Sequence, residues 1–134
     1  MADHHSALVY LMVLASAVDG AMTDREMHAI GDNVMHLPIF SDFDDDQLTK
    51  TMAHCAEILQ KEKGFELVMK QIKTALPHHL RETGYALAAE LVYCDGEVSP
   101  EGRRLLDIIR DRLIIEGTAA IALERAARAR YAVL

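Results

Sequence analysis

Four carboxylates mark the places in this sequence where a hard cation could bind: Asp19, Glu26, Asp95 and Glu101. They fall in two stretches with a common pattern. In each, an apolar run ends at Asp-Gly, and a hydroxyl residue opens the next segment three residues after the glycine. Carboxylate oxygens are the ligands that Ca²⁺ and Mg²⁺ prefer in proteins. The four residues are therefore the candidate metal ligands, and no catalytic residues are predicted.

The same residues also have structural uses that need no ion. Thr23 and Ser99 can cap the helices that follow them, because a hydroxyl oxygen accepts a hydrogen bond from a free N–H of the first turn. Glu26 has the spacing of a capping box with Thr23. Asp19 and Asp95 can accept hydrogen bonds from turn N–H groups. The local pattern favours the structural use, and the two uses are not exclusive.

The two stretches predict a repeated helix–turn–helix unit. Asp19 and Asp95 are 76 residues apart, and so are Thr23 and Ser99. The repeat units cover about residues 6–37 and 80–114. The second copy has Gly102 where the first has Glu26. If the motif serves only for capping, Gly102→Glu should stabilise the fold, because glycine weakens a helix.

The duplicated pattern Asp-Gly-x-aliphatic-Ser/Thr-x-x-Glu resembles that of the TerB-like family of tellurite resistance proteins. A similar module precedes the J-domain in some membrane-anchored co-chaperones. The resemblance covers nearly the whole chain and implies a role in the response to tellurite or related stress, with an acidic metal-binding surface. The second copy departs from the family pattern at Gly102, and Glu101 lies one residue too early.

The composition predicts an all-α fold, a single compact bundle of about seven helices forming one domain over residues 1–134. Tryptophan is absent and aromatic residues make up 5%, so aliphatic residues, methionine and alanine must form the core. That composition favours helices over strands. The helices are predicted at about 6–18, 24–36, 45–63, 65–77, 79–94, from 99 onward and at 118–130.

Helical spacing indicates which faces are buried. The helix at 24–36 should bury Met27, Ile30, Val34 and Leu37. Its other face carries an i+4 series of possible metal ligands, for which solvent exposure is the favoured interpretation: Asp24, His28, Asp32 and His36. The helix that opens at Ser99 should expose its charged residues: Arg103, Arg104, Asp107, Arg110 and Asp111.

The acidic run at 41–46 only partly matches a calcium-binding loop. Asp42, Asp44 and Asp46 copy the first three ligand positions of an EF-hand, but Gln47 replaces the turn glycine and Ala53 replaces the bidentate glutamate. Such a loop requires both residues. Helix capping is therefore the better interpretation of these carboxylates.

The histidines and cysteines offer no further site. Both histidine doublets, His4-His5 and His78-His79, are predicted at the surface. His54 and Cys55 are adjacent, and a helix points adjacent side chains about 100° apart, so they do not form a catalytic pair. Cys55 and Cys94 lack the spacing of a secreted disulfide framework, which suits a reducing cytosol.

No enzyme motif occurs, neither Gly-x-Ser-x-Gly nor a P-loop nor a dinucleotide fingerprint, and we expect a non-enzymatic protein. The net charge is −7, with −8 over residues 1–46 and +3 from residue 102 onward. An acidic chain repels phosphate backbones, so no nucleic-acid partner is expected. The apolar run at 7–17 lacks a basic leader and is too short for a membrane span, which predicts a buried core helix.

Two functions remain open at this point. The first is a cytoplasmic stress-response module with a possible Ca²⁺ or Mg²⁺ site at the Asp-Gly turns. The second is a protein-interaction or co-chaperone-type module in which these turns are purely structural. A protein partner is plausible under either hypothesis, whereas a membrane partner is not expected.

Overall fold

The computed structural model describes residues 3–18 and 20–134, and this part of the chain folds into seven α-helices without a β-strand. The helices are α1 (His4–Ala17), α2 (Asp24–His36), α3 (Leu48–Leu59), α4 (Gly64–Ala75), α5 (Arg81–Tyr93), α6 (Pro100–Leu113) and α7 (Gly117–Arg130). Short 3-10 turns lie at Pro38–Phe40, Asp45–Gln47 and His78–Leu80. The predicted all-α fold is confirmed; the internal duplication remains a prediction.

The core is built around α1. His5 and every residue from Ala7 to Ser16 are buried, so this helix has apolar neighbours on nearly all sides. It packs against α3, α4 and α5, and α5 in turn packs against α6 and α7. The predicted buried core helix is therefore confirmed. None of the helices in the described part of the chain is long and apolar enough to cross a membrane.

The helix predicted at 45–63 is shorter than expected. Asp45–Gln47 is a 3-10 turn, and α3 ends at Leu59. Lys63 then adopts a left-handed backbone with φ 58°. The start of α4 passes so close to the end of α3 that a Cβ on Gly64 would lie 2.3 Å from the carbonyl oxygen of Ile58. Only glycine fits this tight link between the two helices.

The buried face of α2 differs from the prediction. Ile30 and Val34 are buried as expected, but Met27 is 51% exposed. Glu26 and Asn33 are buried on this helix instead. The Glu26 carboxylate accepts a hydrogen bond from the Thr23 N–H, and the Asn33 amide donates one to the buried Glu90 carboxylate. The opposite face is exposed, as predicted: Asp24, His28, Asp32 and His36.

The surface position predicted for the first histidine doublet is wrong for His5. This residue is buried, and its Nε2 lies 3.0 Å from both the Ile39 carbonyl oxygen and Asp42 Oδ1. Its ring also stacks on Phe40. His5 therefore ties the start of α1 to the loop before α3. The second doublet, at residues 78–79, is exposed as expected.

In the acidic run of that loop, the capping interpretation is confirmed for one carboxylate. Asp44 Oδ1 accepts a hydrogen bond of 3.0 Å from the backbone N–H of Asp46 at the start of a 3-10 turn. Asp42 instead bonds His5. These two side chains therefore have structural partners within the loop and at the start of α1.

A partly buried carboxylate, that of Glu124, fixes α7 against α5 and α6. Glu124 accepts a 2.6 Å hydrogen bond from the Tyr85 hydroxyl and forms an ion pair with Arg103. Burial raises the pKa of Glu124, but the bonds from Arg103 and Tyr85 outweigh it and leave that pKa below its usual value. Arg103 is thus half-buried and paired, which corrects the prediction that it is exposed.

The surroundings of Gly102 argue against the expectation that, if the motif serves only for capping, Gly102→Glu would stabilise the fold. Gly102 is buried in the first turn of α6, where a Cβ would lie 2.9 Å from Val92 Cγ1 and 3.3 Å from Ser99 Oγ. The β-branched Val92 side chain has little rotamer freedom with which to withdraw. The glycine therefore allows α6 to approach α5 closely.

Two glycines in helices provide a matched test of this contact. Gly31→Ala on α2 meets no atom within 4 Å and should raise the free energy of unfolding by ~0.5–1 kcal/mol, the usual helix-propensity gain. Gly102→Ala has the same gain but overpacks Val92, which costs ~1–3 kcal/mol. Urea denaturation should therefore show Gly102→Ala less stable than Gly31→Ala. Equal stabilisation in the two variants would contradict the close contact.

Candidate functional site

The turn between α1 and α2 meets the turn between α5 and α6. The Thr23 hydroxyl donates a hydrogen bond to Asp95 Oδ2 at 3.4 Å, which is long but joins residues 72 positions apart. Both side chains are exposed at this contact. The structure therefore brings the two Asp-Gly motifs together, a point that the sequence left open.

Glycine gives the two turns a similar backbone. Gly20 has φ 127° and Gly96 has φ 93°, a region that residues with a Cβ rarely adopt. The Gly96 N–H donates to the Tyr93 carbonyl at 2.9 Å, and the Gly20 N–H donates to the Ala17 carbonyl at 3.3 Å. Each apolar helix thus ends in a tight turn that leads directly to the next helix.

The predicted caps are present in both turns. Thr23 Oγ1 accepts from the Glu26 N–H at 3.1 Å, and the Glu26 carboxylate accepts from the Thr23 N–H at 2.8 Å, which confirms the capping box. Ser99 Oγ accepts from the Gly102 N–H at 3.0 Å. The hydroxyls and Glu26 therefore have a structural role whether or not an ion binds.

The four predicted metal ligands have different surroundings. Glu26 is buried, whereas Asp95 and Glu101 are exposed. Glu101 lies one residue before the position in α6 that corresponds to Glu26 in α2. Asp19 lies outside the described residues. Within the described residues no group of three His, Cys, Asp or Glu side chains could hold a metal ion, so the complete set remains a prediction.

A cleft of about 560 Å³ adjoins these turns, between α2, α5 and the C-terminal end of α7. Three of its lining residues, Asp24, His28 and Asp32, belong to the i+4 series of possible metal ligands for which the sequence favoured solvent exposure. The full lining is Asp24, Arg25, His28, Ala29, Asp32, Glu90, Cys94, Arg130 and Tyr131. Side chains of both charges and an aromatic ring therefore surround one concave surface.

A buried carboxylate at this cleft, that of Glu90, was missed in the sequence analysis. Glu90 is 8% exposed; its Oε2 accepts from Asn33 Nδ2 and its Oε1 from an Arg130 guanidinium N–H, both at 2.8 Å. It joins α2, α5 and α7. The sequence does indicate such a pair, because Glu90 is an acidic residue within the apolar run Leu87–Val92. An acid on a buried helix face needs a polar partner, since an unpaired charge is costly to bury.

The two cysteines are not suited to nucleophilic chemistry. Burial raises the pKa of Cys55 to about 12. Burial, reinforced by the neighbouring Asp95 and Glu26 carboxylates, also raises the pKa of Cys94 to about 12. The Cys94 thiol lines the cleft and donates to the Leu91 carbonyl at 3.3 Å. Because the thiolate is the reactive form, both thiols are inert near neutral pH.

Comparison with known proteins identifies one family. The family model described as tellurite resistance protein TerB matches residues 5–125, nearly the whole chain. No curated relative and no solved structure matches. The family match confirms the resemblance drawn from the Asp-Gly motifs.

Alkylation tests the inertness of the thiols. Relative to an ordinary thiol with a pKa of 9.0, a pKa of about 12 lowers the thiolate fraction at pH 8 by roughly a thousandfold. Mass spectrometry should therefore show iodoacetamide modifying neither Cys55 nor Cys94 in the native protein within minutes, and both in urea. Rapid modification of the native protein at Cys94 would contradict the pKa argument for the cleft.

Proposed function

The chain belongs to the TerB family of tellurite resistance proteins, and we propose that it is a non-enzymatic cytoplasmic module that binds Ca²⁺ or Mg²⁺ at its paired Asp-Gly turns. Asp19 and Asp95 would supply the ligands from the two turns, with Glu26 and Glu101 as the further carboxylates. The module would act in the response to tellurite or related chemical stress. The observation that carries this proposal is the contact between Thr23 and Asp95.

That contact matters because neither turn by itself has enough ligands. Ca²⁺ takes six to eight oxygen ligands, and protein sites collect them from several carboxylates, carbonyls and waters. The two turns lie side by side, and a further carboxylate, Glu26, is held in a fixed orientation by its bond to the Thr23 N–H. Residues 1–46 carry a net charge of −8, which favours a cation near the first turn.

The non-enzymatic part of the proposal is supported by the chemistry of the described residues. The raised pKa values of Cys55 and Cys94 disfavour a thiolate nucleophile and a dithiol cycle. Glu90, the buried carboxylate that lines the clefts beside α2 and α7, is engaged by Arg130 in an ion pair.

Thermal melts with added Ca²⁺ or Mg²⁺ test the cation site. An ion that binds only the folded state should stabilise the protein by roughly 2.7 kcal/mol at 100 times its Kd. Asp19→Asn and Asp95→Asn should each abolish that shift, because each removes an anionic ligand from one turn. Their melting temperatures without metal should stay close to that of the wild type.

Glu57→Gln provides the matched control. It removes an exposed carboxylate from α3, outside both turns, so its ion-induced shift should equal that of the wild type. If no ion shifts the melting temperature at millimolar concentration, the cation site does not exist. If a shift survives in the Asp19→Asn/Asp95→Asn double variant, the site lies elsewhere.

A second candidate function is an interaction module in which the turns are purely structural. The caps account for Thr23, Glu26 and Ser99 without an ion. Two large apolar side chains of α2 also face solvent: Met27 is 51% exposed and Met35 is 69% exposed. Flexible methionines at a surface suit the binding of other proteins.

Affinity capture in the presence of EDTA tests this second function. A partner that binds through α2 should be retained without divalent ions and lost in a Met27→Ser/Met35→Ser variant. Leu67→Ser is the control, because Leu67 is a similarly exposed apolar residue on α4. Capture that depends on added Ca²⁺ or Mg²⁺, or that is unaffected by the α2 substitutions, would exclude a metal-independent surface on α2.

A further inference from the structure

We propose that the groove between α2 and α7 is a receptor for an arginine side chain of a protein partner, and that Arg130 of this chain occupies the receptor when the partner is absent. This proposal rests on the second candidate function, the interaction module. It names the contact site and the chemistry of the partner. Cation binding at the Asp-Gly turns plays no part in it.

The receptor group is the Glu90 carboxylate. It lies on the floor of the groove, where α5 passes beneath α2 and α7, and it is 8% exposed. The Asn33 amide, also buried, bonds Oε2 at 2.8 Å and so fixes the orientation of the carboxylate. A buried carboxylate requires a cationic partner. The remaining oxygen, Oε1, is where the structure places that cation.

Arg130 occupies this position but is itself loosely held. Its side chain is 68% exposed, in contrast to 11% for Glu90. Its only hydrogen bond among the described contacts runs from one terminal nitrogen to Glu90 Oε1. It is also the last residue of α7, so rotation of its side chain leaves the packed part of the helix in place. Another cation can therefore replace Arg130 at modest cost.

The shape of the surface fits such an exchange. A second cleft of about 380 Å³ runs along α5 and α7, and Glu90 and Arg130 are the residues that line both clefts among those described. The Arg130–Glu90 ion pair thus stands between them. If the Arg130 side chain rotates outward, the two clefts become one groove that leads past Glu90.

Charge and aromatic contact favour arginine as the incoming group. Apart from Arg130, the groove is lined by more carboxylates than arginines. Arg25 is the other arginine among the described lining residues, and the carboxylates are Asp24, Asp32, Glu82 and Glu90. The Tyr131 ring lies 6.0 Å from the Arg130 guanidinium carbon and offers a face for a cation–π contact. A planar guanidinium can both bond a carboxylate and stack on a ring, which an ammonium does less well.

A peptide titration tests the proposal against a merely structural ion pair. The probe is the capped peptide Gly-Ala-Arg-Ala-Gly, added in EDTA to the ¹⁵N-labelled full chain, with the Asn33 side-chain amide followed by NMR. Arg130→Gln should bind the peptide at least tenfold more tightly than the wild type, because it removes the internal competitor. Arg128→Gln, an exposed arginine outside both clefts, should match the wild type.

Two further comparisons define the chemistry. The same peptide with citrulline in place of arginine should not bind Arg130→Gln, and adding Glu90→Gln to that variant should abolish binding of the arginine peptide. Methylguanidinium should bind the Arg130→Gln variant at least tenfold more weakly than the arginine peptide does. If it binds equally well, the site recognises a free cation and the assignment of a protein partner is wrong.

The decisive negative result is an Arg130→Gln variant that is folded by circular dichroism and binds the peptide no better than the wild type. Should that variant fail to fold, Arg130→Lys retains a charge but lacks the planar guanidinium, and it should bind at least threefold more tightly than the wild type. No gain in Arg130→Lys would then overturn the proposal. Because EDTA is present throughout, failure here leaves the cation melts unaffected.

Discussion

The structure depends on one constraint, which is that α1 has no polar face. Every side chain from Ala7 to Ser16 is buried, and the Ser16 hydroxyl bonds the Met12 carbonyl within the helix itself. A helix that is apolar all round must be enclosed on every side. The chain achieves this by packing α3, α4 and α5 around α1 and placing α2, α6 and α7 further out. The Asp-Gly turns are the points where the chain leaves its two most buried helices.

The outer helices are attached through buried charges at the margin of this core. Glu90 on α5 bonds Asn33 of α2 and Arg130 of α7, while Glu124 on α7 bonds Tyr85 of α5 and Arg103 of α6. Such pairs require complementary partners, because a buried charge left alone is costly. They specify how α2, α6 and α7 sit on α5, and the Glu90–Arg130 pair also lies beside open clefts where a ligand could compete for it.

The Asp-Gly turns combine a structural and a proposed binding role. Their caps and left-handed glycines define the turn geometry with no ion present. The two turns meet through Thr23 and Asp95, and in the proposed function this contact would lower the ordering cost of binding, as preorganisation does. A motif that serves helix capping can therefore also take part in the proposed cation site.

The sequence by itself determined the all-α fold, the seven helices and the capping box, because these follow from helical periodicity and from contacts within about four residues. The family was indicated by the Asp-Gly motif and is shown by the family match. Tertiary structure alone decided that His5 is buried on Asp42, that Met27 faces solvent, and that Gly102 sits against Val92. It also decided that Thr23 meets Asp95 and that Glu90 binds Arg130. The physical reason is that these pairings join distant positions, and their partners are set by how whole helices pack around α1.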